Sequence, residues 1–253
     1  MITHYHRPTS VEECLSLLNR PTPRTLPLGG GTLLSHYDDE DIEVVDLQVI
    51  GLGYLRSKGN DLEIGAATTL QRMLESDQIP PALKSALHLE APLNIRNAAT
   101  IAGTIVACDG RSTTATTLLA LDGVLTYYEK KSNKGAQKSK EINLGDYLPI
   151  RPLGLITQIR FSSQPRISFD YVARTPADKP IVCVALAHWP AGRVRITVGG
   201  FGKNPVLAMD GNGMEGLEAS VRNALHDSAD EWASSEYRMD IAVTLAKRCL
   251  ENL

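Results

Sequence analysis

Apolar positions along this chain switch between helical spacing and the short β-branched or alternating runs of strands, and the switches mark its elements. Ser10-Val-Glu-Glu13 has the capping-box pattern, and Val11, Cys14, Leu15 and Leu18 follow at helical spacing, which predicts a short amphipathic helix. Pro21-Thr-Pro23 ends it. The apolar stretch Arg24 to Leu28 is too short for a helix and runs into Gly29-Gly-Gly31, while Ile42 to Leu47 is β-branched and follows the acidic turn Asp38 to Asp41. These pieces form a small α/β unit with a glycine loop after a strand.

Tyr54 to Arg56 and Asp61 to Ala66 flank Ser57-Lys-Gly-Asn60, a hairpin signal. Leu70 to Leu74 and Pro81 to Leu89 read as helices, with Pro81 suited to a first turn. Thr100 to Val106 reads as a glycine-containing, strand-like segment, and the threonine-rich Ser112 to Thr117 runs into Leu118-Leu-Ala-Leu121 as a short helix. Val124 to Tyr128 and Leu155 to Phe161 read as strands. Between them Lys130 to Lys140 has no large apolar residue, so it reads as a solvated hairpin tip, with a docking patch for an acidic partner as the sharper alternative. Ser162 to Pro165 marks a linker. Beyond it come three strand-like runs, Ile167 to Val172, Ile181 to Trp189 and Arg193 to Val198, and then two helical patterns. The last, Ser235 to Leu250, places Tyr237, Ile241, Leu245 and Cys249 on one face. The predicted class is α+β, divided as 1–52, 53–162 and 163–253, the last part being a three-stranded sheet with helices.

Composition narrows the function classes. A chain of 253 residues buries a sizeable core without disulfides, and a net charge of −3 leaves no electrostatic footprint for nucleic acid. No apolar run of about 18 residues occurs, and the start MITHYHRPTS lacks a signal's basic and apolar regions, so a cytoplasmic protein with no membrane insertion is expected. Cys14, Cys108, Cys183 and Cys249 lie far apart with no C-x-x-C pair, and read as buried small hydrophobes. Any iron–sulfur cluster would belong to another chain. His4 and His6 make an H-x-H pair without a nearby cysteine or carboxylate in sequence, so surface positions are expected rather than metal ligands. No hydrolytic motif is present.

Two loops carry the candidate chemistry. Pro27-Leu-Gly-Gly-Gly-Thr32 follows a strand, and its glycines let backbone N–H groups approach a phosphate, although an ordinary turn fits three glycines as well. The Lys of a P-loop and the G-x-G-x-x-G spacing of a Rossmann turn are both absent. Asn94-Ile-Arg-Asn-Ala-Ala-Thr-Ile-Ala-Gly-Thr104 joins an Arg-Asn pair to a small-residue segment that suits a second phosphate or a sugar. The pair of loops suits a diphosphate lying between two subdomains.

Together these segments resemble the FAD-binding medium subunits of the molybdenum hydroxylases. Leu28-Gly-Gly-Gly-Thr-Leu33 is similar to that family's first glycine loop, Ile64-Gly-Ala-Ala-Thr-Thr69 to its I-G-A-x-T-T segment, and Ile95 through Thr104 to its I-R-N-x-A-T-I-G-G-N segment. Leu118 to Asp122, Phe169 to Arg174 with Ala177-Asp178, Val198 to Pro205 and Ser235 to Arg238 follow in the family's order. Departures are local. Ala102-Gly-Thr104 stands where the family has Gly-Gly-Asn, Thr113 where it has an aspartate for the cofactor's sugar, Tyr171 where it has a lysine, and Lys179 where an aromatic residue is common.

The resemblance implies a two-subdomain FAD-binding fold of the PCMH/vanillyl-alcohol-oxidase type followed by a C-terminal α+β domain. It implies FAD held by Leu28, Gly29, Gly30, Gly31, Thr32 and Leu33 on one loop and Arg96, Thr100, Ile101, Ala102, Gly103 and Thr104 on the other. Asp109, Thr113, Leu155, Ile156 and Lys179 would complete the site. Arg96 is equally a structural partner on its own reading, and Leu155 on its own reads first as a core residue. The chain would then carry no catalytic or metal-binding residue and would pass electrons from the iron–sulfur clusters of a small partner subunit to an external acceptor. Molybdopterin would sit in a large partner subunit, and a homodimer is also open. Two other readings stay open: a scaffold subunit that has lost FAD, and a stand-alone FAD-dependent oxidoreductase.

Overall fold

The computed structural model describes residues 1–34, 41–130 and 138–253. Most of the expected acidic turn at Asp38 to Asp41 and the middle of the lysine-rich segment therefore lie outside the described residues.

A strand, β1 (Ile2–His6), opens the chain ahead of α1 (Val11–Leu18), β2 (Thr25–Leu28) and β3 (Ile42–Asp46). The strands form a parallel sheet in the order β1-β3-β2. Ser10 caps α1 through its hydroxyl, which accepts from the Glu13 N–H, and the carboxylate of Glu13 accepts from the Thr9 N–H. The apolar face of α1, with Cys14, Leu15, Leu17 and Leu18, packs with Val45, Leu47 and Leu155.

The second sheet is antiparallel, in the order β4-β5-β8-β6-β7. Its strands are β4 (Leu55–Lys58), β5 (Asp61–Gly65), β6 (Val124–Glu129), β7 (Lys140–Asn143) and β8 (Gly154–Ser162). Between β5 and β6 run α2 (Leu70–Glu75), α3 (Pro81–Glu90), α4 (Leu93–Ala98), α5 (Ile101–Ala107) and α6 (Thr113–Ala120), and α7 (Leu144–Ile150) follows β7. The expected strand at Thr100 to Val106 is instead the helix α5. Thr100 itself is extended and bridges Thr69, its hydroxyl caps the helix, and Ile101, Ala102 and Ile105 fall on one buried face. Burial of that face overrides the weak β preference of Ile and Val.

The C-terminal part contains β9 (Arg166–Val172), β10 (Val182–His188), β11 (Arg193–Gly199) and β12 (Val206–Asn212), then α8 (Leu217–Ala224) and α9 (Ser235–Glu251). The α+β class holds, but the sheet has four strands, not three, in the order β12-β11-β10-β9. The unforeseen strand β12 is an edge, paired on one side only, and its Asp210-Gly-Asn212 end has turn composition.

Helix α6 joins the second and third sheets. It packs on α3 and on β10 and β11, and every residue from Thr113 to Ala120 is buried. Its four threonines cost about 2–3 kcal/mol in helix propensity, whereas burying Leu118 and Leu119 contributes about 3–6 kcal/mol. Packing therefore decides the conformation. The Thr116 and Thr117 hydroxyls donate to the Ser112 and Thr113 carbonyls at 2.7 and 2.9 Å, which leaves these buried groups satisfied.

Candidate functional site

The loop leaving β2 turns at Gly31, whose φ of +69° is a left-handed conformation that an L side chain rarely adopts. At Gly30 the loop lies so close to the α4–α5 turn that an added Cβ would fall 1.8 Å from the Ala98 carbonyl oxygen, and at Gly29 it would fall 2.5 Å from Thr100 Oγ1. Two glycines are thus required by contact with the protein's own backbone and side chains. Among the described residues, no acceptor takes the N–H groups of Gly29, Gly30 and Gly31.

These groups border an open cavity of about 500 Å³ between the glycine loop, the end of α3, the α4–α5 segment and the segment before β10. Gly29, Gly30, Gly31, Thr32, Leu33, Thr100, Gly103, Thr104 and Lys179 all line it, so both predicted loops meet there. Leu26, Leu34, Leu70, Ile95 and Val106 give the walls an apolar character. Cys108 is on the wall too, and burial pushes its thiol up to about 11, which keeps it protonated and inert at neutral pH. All four cysteines are free and buried, as expected.

The helix α5 behaves differently from the glycine loop. Its first N–H groups are already engaged: Ile101 donates to the Thr68 carbonyl at 2.9 Å, Ala102 to Ala66 at 3.2 Å and Thr104 to Thr100 at 2.9 Å. The Gly103 N–H is capped by Thr100 Oγ1 at 3.3 Å. The Thr104 hydroxyl donates back to the Thr100 carbonyl at 3.0 Å. This wall therefore offers shape and small side chains rather than amide donors.

The remaining predicted residues are not on the cavity wall. Arg96 is buried, and its guanidinium donates to Gln71 Oε1 at 3.1 Å and to the His88 and Ala91 carbonyls at 3.1 and 2.6 Å, so it clamps α2, α3 and α4 together. Ile101 and Ala102 face the core of the second sheet, and Ile156 does so from β8. Leu155 packs with α1. Leu28 accepts the Leu47 N–H through its carbonyl. Thr113 is buried and donates to the Ala86 carbonyl at 2.6 Å.

Asp109 stands just behind the wall. Its Oδ2 lies 3.4 Å from Lys179 Nζ, and its Oδ1 accepts from the Arg111 N–H at 2.9 Å. Arg111 in turn donates to the Lys179 and Pro180 carbonyls at 2.7 and 3.2 Å. These bonds hold the segment before β10 over the cavity. One charged wall residue was not foreseen. Glu90, at the end of α3, lines the cavity, and no local motif announces it, because its partners come from α6.

His4 and His6 both lie against Glu43, at 3.2 and 2.7 Å. Among the described residues no cluster of three or more His, Cys, Asp or Glu could hold a metal ion, and no helix is long and apolar enough to cross a membrane.

A glycine loop with uncommitted amides, set over a cavity shared by two sheet-bearing regions, is a cradle for a phosphate-bearing ligand. Residues 1–161 match the profile of the FAD binding domain in molybdopterin dehydrogenase, and the chain belongs to that family. It is 28% identical over 253 residues to the Uncharacterized protein YgfM of Escherichia coli (strain K12), covering 97% of this chain and 94% of that one. It is 26% identical to a xanthine dehydrogenase FAD-binding subunit of Escherichia coli O157:H7, over 97% of this chain and 94% of that one. In fold it is similar to a chain of the Cu,Mo-CO dehydrogenase, with a TM-score of 0.79 at 22% identity and coverage of 99% and 98%. The resemblance read from the motifs is thereby borne out, and FAD is the cofactor of the family's domain.

The residues present fit that cofactor. Gly29 to Gly31 offer unpartnered N–H groups for phosphate oxygens, and the close packing of Gly29 and Gly30 against Thr100 and Ala98 fixes where those groups stand.

Proposed function

We propose that this chain is the FAD-binding, electron-transferring subunit of a molybdenum hydroxylase complex. It takes electrons from iron–sulfur clusters in a small subunit, while a large subunit carries the molybdenum cofactor and the substrate, and it passes them to an external acceptor. The observation that carries this reading is the set of unpartnered Gly29, Gly30 and Gly31 N–H groups on the cavity wall. Backbone donors fixed by the fold bind phosphate without reorganising. FAD supplies the redox chemistry when bound, and this chain supplies binding, orientation and an apolar enclosure. Leu26, Leu34 and Ile95 exclude water from one side, and Lys179 adds a positive charge at the rim. Supporting the dependence on partners, the four cysteines are scattered and buried.

Three functional units at 1–52, 53–162 and 163–253, and a cytoplasmic location, complete the proposal. One sheet in each range supports the division.

One observation favours a second reading, a scaffold that has lost FAD: the first N–H groups of α5 are already taken within the protein. Absorbance of the purified chain between 350 and 500 nm, with and without added FAD, separates the two. Flavin bands that survive gel filtration are expected. A chain that stays colourless after saturation with FAD is the scaffold.

A further inference from the structure

The strongest unassigned feature of the cavity is the carboxylate of Glu90. It sits at the C-terminal end of α3, where a helix dipole disfavours negative charge, and it faces the N-terminus of α6, where one is favoured. Its Oε2 accepts from the Ser112 hydroxyl at 2.9 Å and the Thr114 N–H at 2.8 Å; the Thr113 hydroxyl, whose proton goes to the Ala86 carbonyl at 2.6 Å, lies 3.2 Å away. Ser112 Oγ caps the next amide, that of Ala115, so the Thr114 and Ala115 amides are served without the second Glu90 oxygen. Oε1 takes no donor from a described residue, and Glu90 lines the cavity.

The cavity thus carries two complementary recognition elements. The glycine loop presents donors, which suit an anion, and Glu90 presents a fixed acceptor, which repels an anion and suits a hydroxyl. The two bonds on Oε2 hold the carboxylate in its orientation. A ligand matching both has phosphate and a polyol or sugar in one molecule.

We infer that Glu90 is a specificity-determining residue that accepts a hydrogen bond from a sugar or ribityl hydroxyl of the bound cofactor through Oε1. The inference rests on the cavity taking FAD. Both the adenosine ribose and the ribityl chain offer this chemistry, and the test separates them.

The dissociation constants of FAD, of FAD lacking its ribose hydroxyls and of FAD lacking its ribityl hydroxyls would be measured by flavin fluorescence on the full chain and on Glu90→Ala. One of the two analogues should bind the parent at least about tenfold more weakly than FAD, a ratio equivalent to about 1.4 kcal/mol. In Glu90→Ala that ratio should fall below about twofold, whatever the overall affinity, because the hydroxyl no longer has its acceptor. The analogue that shows the effect names the hydroxyl. A capping role alone would weaken all three ligands together and leave the ratio intact, and that result overturns the inference. So does equal binding of all three by the parent. Glu90→Gln keeps an oxygen for the Thr114 amide and turns its NH2 to the cavity, so it guards against a loosened α6, and its ratio should fall as in Glu90→Ala. Failure of the parent to bind FAD at all would remove the reading of the cavity and this inference with it.

Discussion

At the scale of single residues, the glycines of the candidate site divide by what surrounds them. Gly30 is required by the protein itself, because its Cβ would meet the Ala98 carbonyl at 1.8 Å, a backbone atom that cannot turn aside. Gly103 is required only mildly, since its Cβ would meet the Thr100 hydroxyl at 3.0 Å, and it lies in the first turn of a helix that Ala would favour. Gly30→Ala is therefore expected to lower stability by about 1–3 kcal/mol, the usual cost of overpacking. Gly103→Ala should stay within about 1 kcal/mol of the parent, helix propensity offsetting the tight contact. Urea denaturation checks the order, and a Gly103→Ala variant less stable than Gly30→Ala would contradict it. Arg96 was legible as a singular residue but not as to role. Its three acceptors lie on α2, at the end of α3 and just beyond it, and only the assembled fold reveals them.

At the scale of elements, the strand that went unread is held by charges. Asp210 on β12 accepts from Arg193 at 2.8 Å and from Arg195 at 2.6 Å, and Asp122 reaches the same two guanidiniums at 2.9 and 3.1 Å. The hydrogen bonds from Arg193 hold the Asp210 carboxyl below the usual carboxylate range, with Arg195 adding to the effect against the cost of burial. Its folded-state pKa is therefore below that of the unfolded chain, about 3.9. Such a group stabilises the fold above the unfolded value and loses that contribution as pH falls through the folded one. Asp210→Asn should be less stable than the parent at pH 7, and the gap between them should narrow as the pH falls below the unfolded value of about 3.9. A gap that stays constant from pH 7 to pH 3 in urea titrations would show that the carboxylate contributes nothing through its charge.

At the scale of the whole molecule, the segment after α5 is pressed against the turn between β11 and β12. The Gly110 N–H donates to the Gly202 carbonyl at 3.0 Å, the Gly200 N–H donates to Gly110 at 2.7 Å, and a Cβ on Gly110 would fall 1.6 Å from the Phe201 carbonyl. Arg151 bridges the same joint, donating to the Cys108 carbonyl at 2.7 Å and to Lys203 at 3.3 Å. This joint and the bonds of Arg111 fix Lys179 over a cavity otherwise built from the first two sheets. Gly110→Ala is expected to lower the melting temperature by several degrees, the shift that about 1–3 kcal/mol gives in a domain of this size, and to weaken FAD. Gly211→Ala, whose Cβ would meet nothing within 4 Å, serves as the control and should change neither. Equal melting temperatures for the two variants would mean that the joint is not a stabilising contact.

The sequence by itself determined the α+β class, most helices and strands, the buried state of the cysteines and the two loops that meet at the cavity, because these depend on local spacing and on small residues that backbone approach demands. It also carried the family, through motifs that stand in order. Tertiary structure decided what local pattern cannot hold: that Thr100 to Val106 turns helical once one face is buried, and that an edge strand forms where Arg193 and Arg195 meet Asp210. It likewise decided which small-residue wall keeps free amides and which has spent them. Only there did Glu90, from one helix, come to face the cavity while capping another, since a side chain's partners across the fold are set by packing and not by its neighbours in sequence.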